Sequence, residues 1–159
     1  TVAKTPPARR YATLQIAPPS DAKSFAIPPN HPNWESSAAA TFRMDADLVW
    51  MSPHMHVRGK DMTYQLVYAG GRRETILSVP RYDFNWQLAY ELAKPLRVAK
   101  GTDIVVTAHY DNSINNKFNP DPNRTVYYGE MVWEEMMDAF FSVVVPRDVH
   151  PGTIVGPRR

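Results

Sequence analysis

The clearest chemistry-bearing residues of the chain are His54 and His56, two imidazoles separated by one methionine in the stretch SPHMHVRGKDM, residues 52–62. Side chains alternate between the faces of a β-strand, so a strand here points both histidines the same way, together with Ser52 and Arg58. Met51, Pro53, Met55 and Val57 then form the opposite, core-facing set. A second stretch of interest is EEMMDAFFSVVV, residues 134–145. Its alternate positions Met137, Ala139, Phe141, Val143 and Val145 are uniformly apolar and must face a core. Glu134, Met136, Asp138, Phe140, Ser142 and Val144 fall on the other face, where a methionine that serves only packing is less expected. In DIVVTAHY, residues 103–110, Ile104, Val106, Ala108 and Tyr110 make one face and Val105, Thr107 and His109 the other. His109 is thus a third imidazole that only the fold could bring to the pair.

Two neutral imidazoles and a thioether suit copper, because nitrogen ligands serve both of its common oxidation states and soft sulfur favours Cu(I). A redox-cycling copper with an open position can bind dioxygen. Other chemistries draw on the same residues. A cupin site also uses HxH but normally adds a Glu within a few residues, whereas VRGKD follows here. A zinc hydrolase needs a further ligand and a general base, for which Glu134, Glu135 and Asp138 are the candidates. Trp50, Trp86, Trp133 and Tyr90 offer rings for a sugar-stacking platform. Ser52 lacks the Gly-x-Ser-x-Gly setting of a hydrolase nucleophile. The carboxylates and amides of residues 111–124, DNSINNKFNPDPNR, lack the ligand spacing of a calcium loop and read as an unstructured polar connection.

These residues need a scaffold, and the composition points to one β domain. A chain of 159 residues that is 43% hydrophobic can bury a single good core. Fifteen prolines against seven glycines punctuate short segments rich in Val, Ile, Thr and aromatics. Strands are expected over residues 11–16, 38–43, 47–57, 63–68, 74–79, 86–91, 103–110 and 135–145. A tight hairpin is expected at Ala69-Gly70-Gly71-Arg72, where glycines supply positive φ. About eight strands with irregular connections predict an all-β, two-sheet antiparallel sandwich of jelly-roll type. Residues 1–10 read as a linker from a longer chain, 11–147 as the domain and 148–159 as a tail. The 18 Lys and Arg residues are scattered among 16 Asp and Glu, which argues against a nucleic acid partner. No apolar run is long enough for a membrane span. The absence of cysteine excludes thiolate metal sites and disulfides.

The order of three runs then matters: HMHVRGKDMTYQLVYAGGRRE, KGTDIVVTAHYDNS and GEMVWEEMMDAFF. Together they resemble the C-terminal domain of the copper type II, ascorbate-dependent monooxygenases, a family that includes peptidylglycine alpha-hydroxylating monooxygenase and dopamine beta-monooxygenase. The resemblance covers roughly residues 24–146, including an IPP turn at Ile27. It implies copper bound by the two histidines of HxH and the methionine of the (D/E)EM motif, which are His54, His56 and Met136, with Met131 of GEM a weaker alternative. It also implies that Met137 replaces a cysteine of the family, with His109 near the other half of the lost bridge, and that Asp138 lies beside the site. Ser52 and Phe140 stand where the peptidylglycine enzyme anchors its substrate with Arg and Tyr, so another small-molecule or peptide-like substrate is expected. The family's second copper domain has no counterpart here, since His31, His109 and His150 are too dispersed. The resemblance therefore implies the oxygen-activating half of a hydroxylase, secreted or periplasmic, supplied with electrons by ascorbate or an attached redox domain. The competing readings are a non-catalytic copper-binding or sensory domain, and a carbohydrate-binding or structural sandwich.

Overall fold

The computed structural model describes residues 4–158. In chain order its strands are β1 (Arg9–Ile16), β2 (Ala26–Ile27), β3 (Trp34–Phe42), β4 (Ala46–His54), β5 (Gly59–Val67) and β6 (Arg73–Val79). They are followed by β7 (Tyr90–Val98), β8 (Asp103–Tyr110), β9 (Val126–Tyr127), β10 (Asp138–Pro146) and β11 (Val155–Pro157). One antiparallel sheet has the order β1-β10-β4-β7 and the other β11-β3-β8-β5-β6, while β2 and β9 form a small ladder. Counting only the eight long strands, the sheets run first-eighth-third-sixth and second-seventh-fourth-fifth, the order of a jelly roll.

Alternation builds the core between the sheets. On β8, Ile104, Val106, Ala108 and Tyr110 are buried, and on the opposing sheet Met137, Ala139, Phe141, Val143 and Val145 are fully buried. The sheets meet where Phe42 packs on Phe141, ring centroids 6.1 Å apart, and where the Tyr64 hydroxyl donates to the Phe140 carbonyl at 3.3 Å. At one end Phe25 gathers Trp34, Tyr110 and Tyr128 in edge-to-face contacts of 5.0, 5.6 and 5.5 Å. This aromatic knot supports the segment leading into β10, because the Tyr110 hydroxyl donates to the Met136 carbonyl at 2.8 Å. The β5–β6 hairpin turns as expected, with Gly70 and Gly71 at φ of 88° and 85°.

Several elements depart from expectation for identifiable reasons. The strand expected over residues 86–91 is replaced by β7, which starts at Tyr90 and runs past Pro95 to Val98. Turn chemistry wins over residues 83–86, where Asp83 accepts the Asn85 N–H at 2.8 Å and Trp86 is 69% exposed. Proline is tolerated in β7 because the strand is an edge and its pairing with β4 shifts register between Leu48 and Trp50. β4 ends at His54 and the chain turns, the Gly59 N–H reaching the His56 carbonyl at 3.1 Å. Following β10, residues 148–158 add β11 to the edge of β3 and bury Ile154. At the other end, β1 begins inside the expected linker, with Arg9 paired to Asp47. The loop over residues 111–124 is organised by buried Asn112. Its amide accepts from Arg58 Nε at 2.9 Å and donates to the Pro28 and Arg124 carbonyls at 2.8 and 2.9 Å.

Candidate metal centre

His54 is the last residue of β4 and pairs in register with Asp138, the first of β10. Beyond that pair both chains leave the ladder, so the sheet alone does not position His56 or Met136. Glu135 does. Its fully buried carboxyl accepts the His56 N–H at 2.8 Å and the Met136 N–H at 3.2 Å on one oxygen, and the Arg58 N–H at 2.6 Å on the other. One side chain thus ties the histidine loop to the methionine loop through three backbone groups that would otherwise be buried and unpaired. Burial pushes the Glu135 carboxyl up to about 8, against the pull of these N–H groups and of the Arg58 charge. Arg58, expected on an exposed face, is only 2% exposed because the strand ends before it. Its guanidinium donates to Asn112 and, at 3.0 Å, to the Trp133 carbonyl.

The two imidazoles stand edge to face, centroids 5.3 Å apart and planes 82° apart. His54 Nδ1 lies 2.6 Å from Gln87 Oε1, and the amide of Gln87 is oriented by its own Nε2, which donates to the Phe84 carbonyl at 2.9 Å. His56 Nδ1 lies 3.3 Å from the Glu134 carbonyl. An amide or carbonyl oxygen carries no proton, so each Nδ1 must be the donor. In the neutral ring this sets the tautomer and leaves the lone pair on Nε2, one of the two nitrogens through which an imidazole binds metal. Burial holds the His56 pKa below its usual value and so favours the neutral ring, with the neighbouring His54 acting in the same direction.

Met136 is half-buried, two residues before the Asp138 that pairs with His54. Asp138 is 6% exposed and accepts the Tyr128 hydroxyl at 2.5 Å, a phenol held well above its usual pKa by burial and by this carboxylate. Met131 is 51% exposed on the preceding turn, its N–H donating to Glu134 at 3.1 Å. His109 does not join this group. It projects from the outer face of β8 between its cross-strand neighbours Asp61, at 2.7 Å, and Glu35, at 3.4 Å. Met137 is in the core, the β8 residue that bonds the adjacent backbone is Tyr110, and alternation turns His109 to the outer face. Glu135, considered above as a general base, has both oxygens committed to backbone donors. Among the described residues no three or more His, Cys, Asp or Glu side chains converge on a metal position. A set of two histidines and a thioether offers only two such groups.

A jelly roll that carries a tautomerically set histidine pair at the end of one strand, braced against a thioether-bearing segment, defines a candidate copper domain. Residues 16–142 match the family described as copper type II ascorbate-dependent monooxygenase, C-terminal domain, and the chain belongs to that family. A comparison with curated proteins finds no match. Glu135, Arg58, Gln87 and Tyr110 are the supporting residues whose roles sequence reasoning missed. Only Glu135 left a signal: it shares the parity of Met137, Ala139 and Phe141, and a carboxylate in register with a core demands partners.

Proposed function

We propose that the domain holds copper through His54, His56 and Met136 and is the oxygen- and substrate-handling half of a C–H hydroxylase. The observation that carries this reading is the Glu135 carboxyl, which fixes the backbone of His56 to that of Met136, beside two histidines whose Nδ1 atoms each face an oxygen acceptor. The donor set fits the metal: neutral nitrogens suit either oxidation state and the thioether favours the reduced one. Copper bound there supplies one-electron chemistry and a position for dioxygen.

The chain's own residues orient and select. Gln87 and the Glu134 carbonyl retain the Nδ1 protons, and Phe84, in edge contact with His56 at 6.0 Å, shields that ring from solvent. Ser52 and Phe140 are cross-strand partners two pairs along from His54 and Asp138, and Ser52 Oγ donates to the Leu88 carbonyl at 3.3 Å. A phenyl ring beside a hydroxyl offers no cation for a substrate carboxylate, which favours a substrate presenting an uncharged C–H face. Electrons arrive from ascorbate or from a second redox domain, and the working compartment is secreted or periplasmic. No helix among the described residues is long and apolar enough to cross a membrane.

The test is incubation of the copper-loaded chain with ascorbate, isotopically labelled dioxygen and a panel of uncharged substrates. The reading expects little labelled product from the chain alone, since each hydroxylation consumes two electrons and one copper holds one, with sustained turnover only when a redox partner is supplied. Fast multiple turnover with ascorbate alone contradicts the half-enzyme assignment, and absence of labelled product under all conditions leaves a copper-binding domain that does not hydroxylate.

A further inference from the structure

Beside the histidine pair lies a cavity of about 660 Å³, built by residues 57–60, 80–85, 111 and 115–118. Its size falls within the range of small-ligand sites. Neither the three proposed copper ligands nor Ser52 and Phe140 line it, although it shares Arg58 and Phe84 with the surroundings of the histidine pair.

Tyr82, Phe84 and Phe118 supply its aromatic lining, and Tyr82 is held in place. The Tyr82 hydroxyl donates to the Met55 carbonyl at 2.6 Å and accepts the Met55 N–H at 3.0 Å, and its own N–H donates to the Lys60 carbonyl at 2.9 Å. Phe84 lines the cavity and also meets the His56 ring. Phe118 stands on the third segment, 53% exposed. The lining charges sort themselves by what they already do, and the Arg58 guanidinium is engaged with Asn112 and the Trp133 carbonyl. Asp83 caps the Asn85 N–H at 2.8 Å and Asp111 the Ser113 N–H at 2.9 Å, so both carboxylates are turned to their own loops. Lys60 donates to Asn33 at 2.6 Å. Exposed Arg81 and Lys117 remain, on two different segments, the Lys117 ammonium 4.8 Å from the centre of the Phe118 ring.

The geometry points to a binding site for a small planar organic anion of the aryl carboxylate class, stacked on Phe84 and Phe118 with its carboxylate paired to Arg81 and Lys117. An arginine fork matches a carboxylate with two parallel hydrogen bonds, and offset ring contacts favour a flat ligand over a puckered one. Tyr82 grips the residue between the two histidines and Phe84 touches His56, so an occupant is felt at the histidine pair without reaching it.

The experiment titrates the metal-free chain with naphthoate and follows backbone amide and imidazole NMR signals. Saturable shifts are expected for residues 57–60, 82–85 and 115–118 and for the His56 ring. Naphthalene carboxamide, naphthylmethylamine and cyclohexane carboxylate should each bind at least about tenfold more weakly, as should naphthoate to the Arg81→Gln variant, the loss expected for one charge-assisted hydrogen bond. Lys117→Gln, on a separate loop, should weaken it as well. Absence of saturable shifts, equal binding of the neutral or cationic analogue, or unchanged affinity in both variants overturns the assignment. Copper takes no part in this titration, so its outcome is separate from the fate of the proposed metal centre.

Discussion

Replacing Glu135 should damage the candidate site more than any other change of a residue that is not itself a proposed ligand. The carboxyl oxygens accept three backbone N–H groups, from His56, Arg58 and Met136, inside a fully buried setting. A carboxyl oxygen has a lone pair to accept with even when it carries the proton, whereas an amide NH2 has none. Glu135→Gln therefore leaves at least one buried N–H unpaired, at a cost of about 1–3 kcal/mol. Glu135→Ala strands all three donors, for a loss of at least about 3 kcal/mol, at about 1 kcal/mol or more for each buried donor left unpaired. That is a large share of the roughly 5–15 kcal/mol that holds a typical domain together. Urea unfolding monitored by tryptophan fluorescence measures the loss, and amide exchange at His56 and Met136 tests its location. The reasoning fails if Glu135→Ala unfolds within about 0.5 kcal/mol of the parent, or if the exposed amides lie elsewhere.

Gln87→Leu should leave stability nearly unchanged yet lower copper affinity by about 10–100-fold, because the His54 tautomer loses its partner; isothermal competition against a chelator reads this. His109→Ala, on the outer face beside Asp61 and Glu35, should leave copper affinity unchanged in the same assay. Arg9, and then Arg97, hold the Asp47 carboxyl below its usual range, so its folded-state pKa lies below the unfolded one. The stability it contributes is present above the unfolded value of about 3.8 and is lost as pH falls through the depressed folded value. Asp47→Asn should accordingly be less stable than the parent at neutral pH, with the gap closing in acid, as followed by thermal unfolding across pH.

The jelly roll was legible because alternation is strong where both faces have a clear character, as in β8 and β10. β7 was not, since Pro95 and the register shift beside it break the pattern, and an edge strand tolerates both. The histidine pair and Met136 were legible as types and spacing. What holds them was not, because Glu135 is satisfied by backbone N–H groups of residues 56, 58 and 136, which every non-proline residue possesses. His109 misled for the opposite reason. Its residue type invited inclusion, while its parity opposite Ala108 and Tyr110 already placed it on the outer face of the sheet.

The central claim is that Met136 is a ligand and not a packing residue, and anaerobic competition titration of the Met136→Ala variant tests it most directly. Thioether sulfur contributes more to Cu(I) than to Zn(II), whereas the two imidazoles serve both ions. The account predicts that Met136→Ala loses Cu(I) affinity far more than Zn(II) affinity, while His54→Ala and His56→Ala lose both, with each variant shown to be folded by its far-ultraviolet circular dichroism. Equal losses of the two metals in Met136→Ala, or no loss of either, would contradict the account.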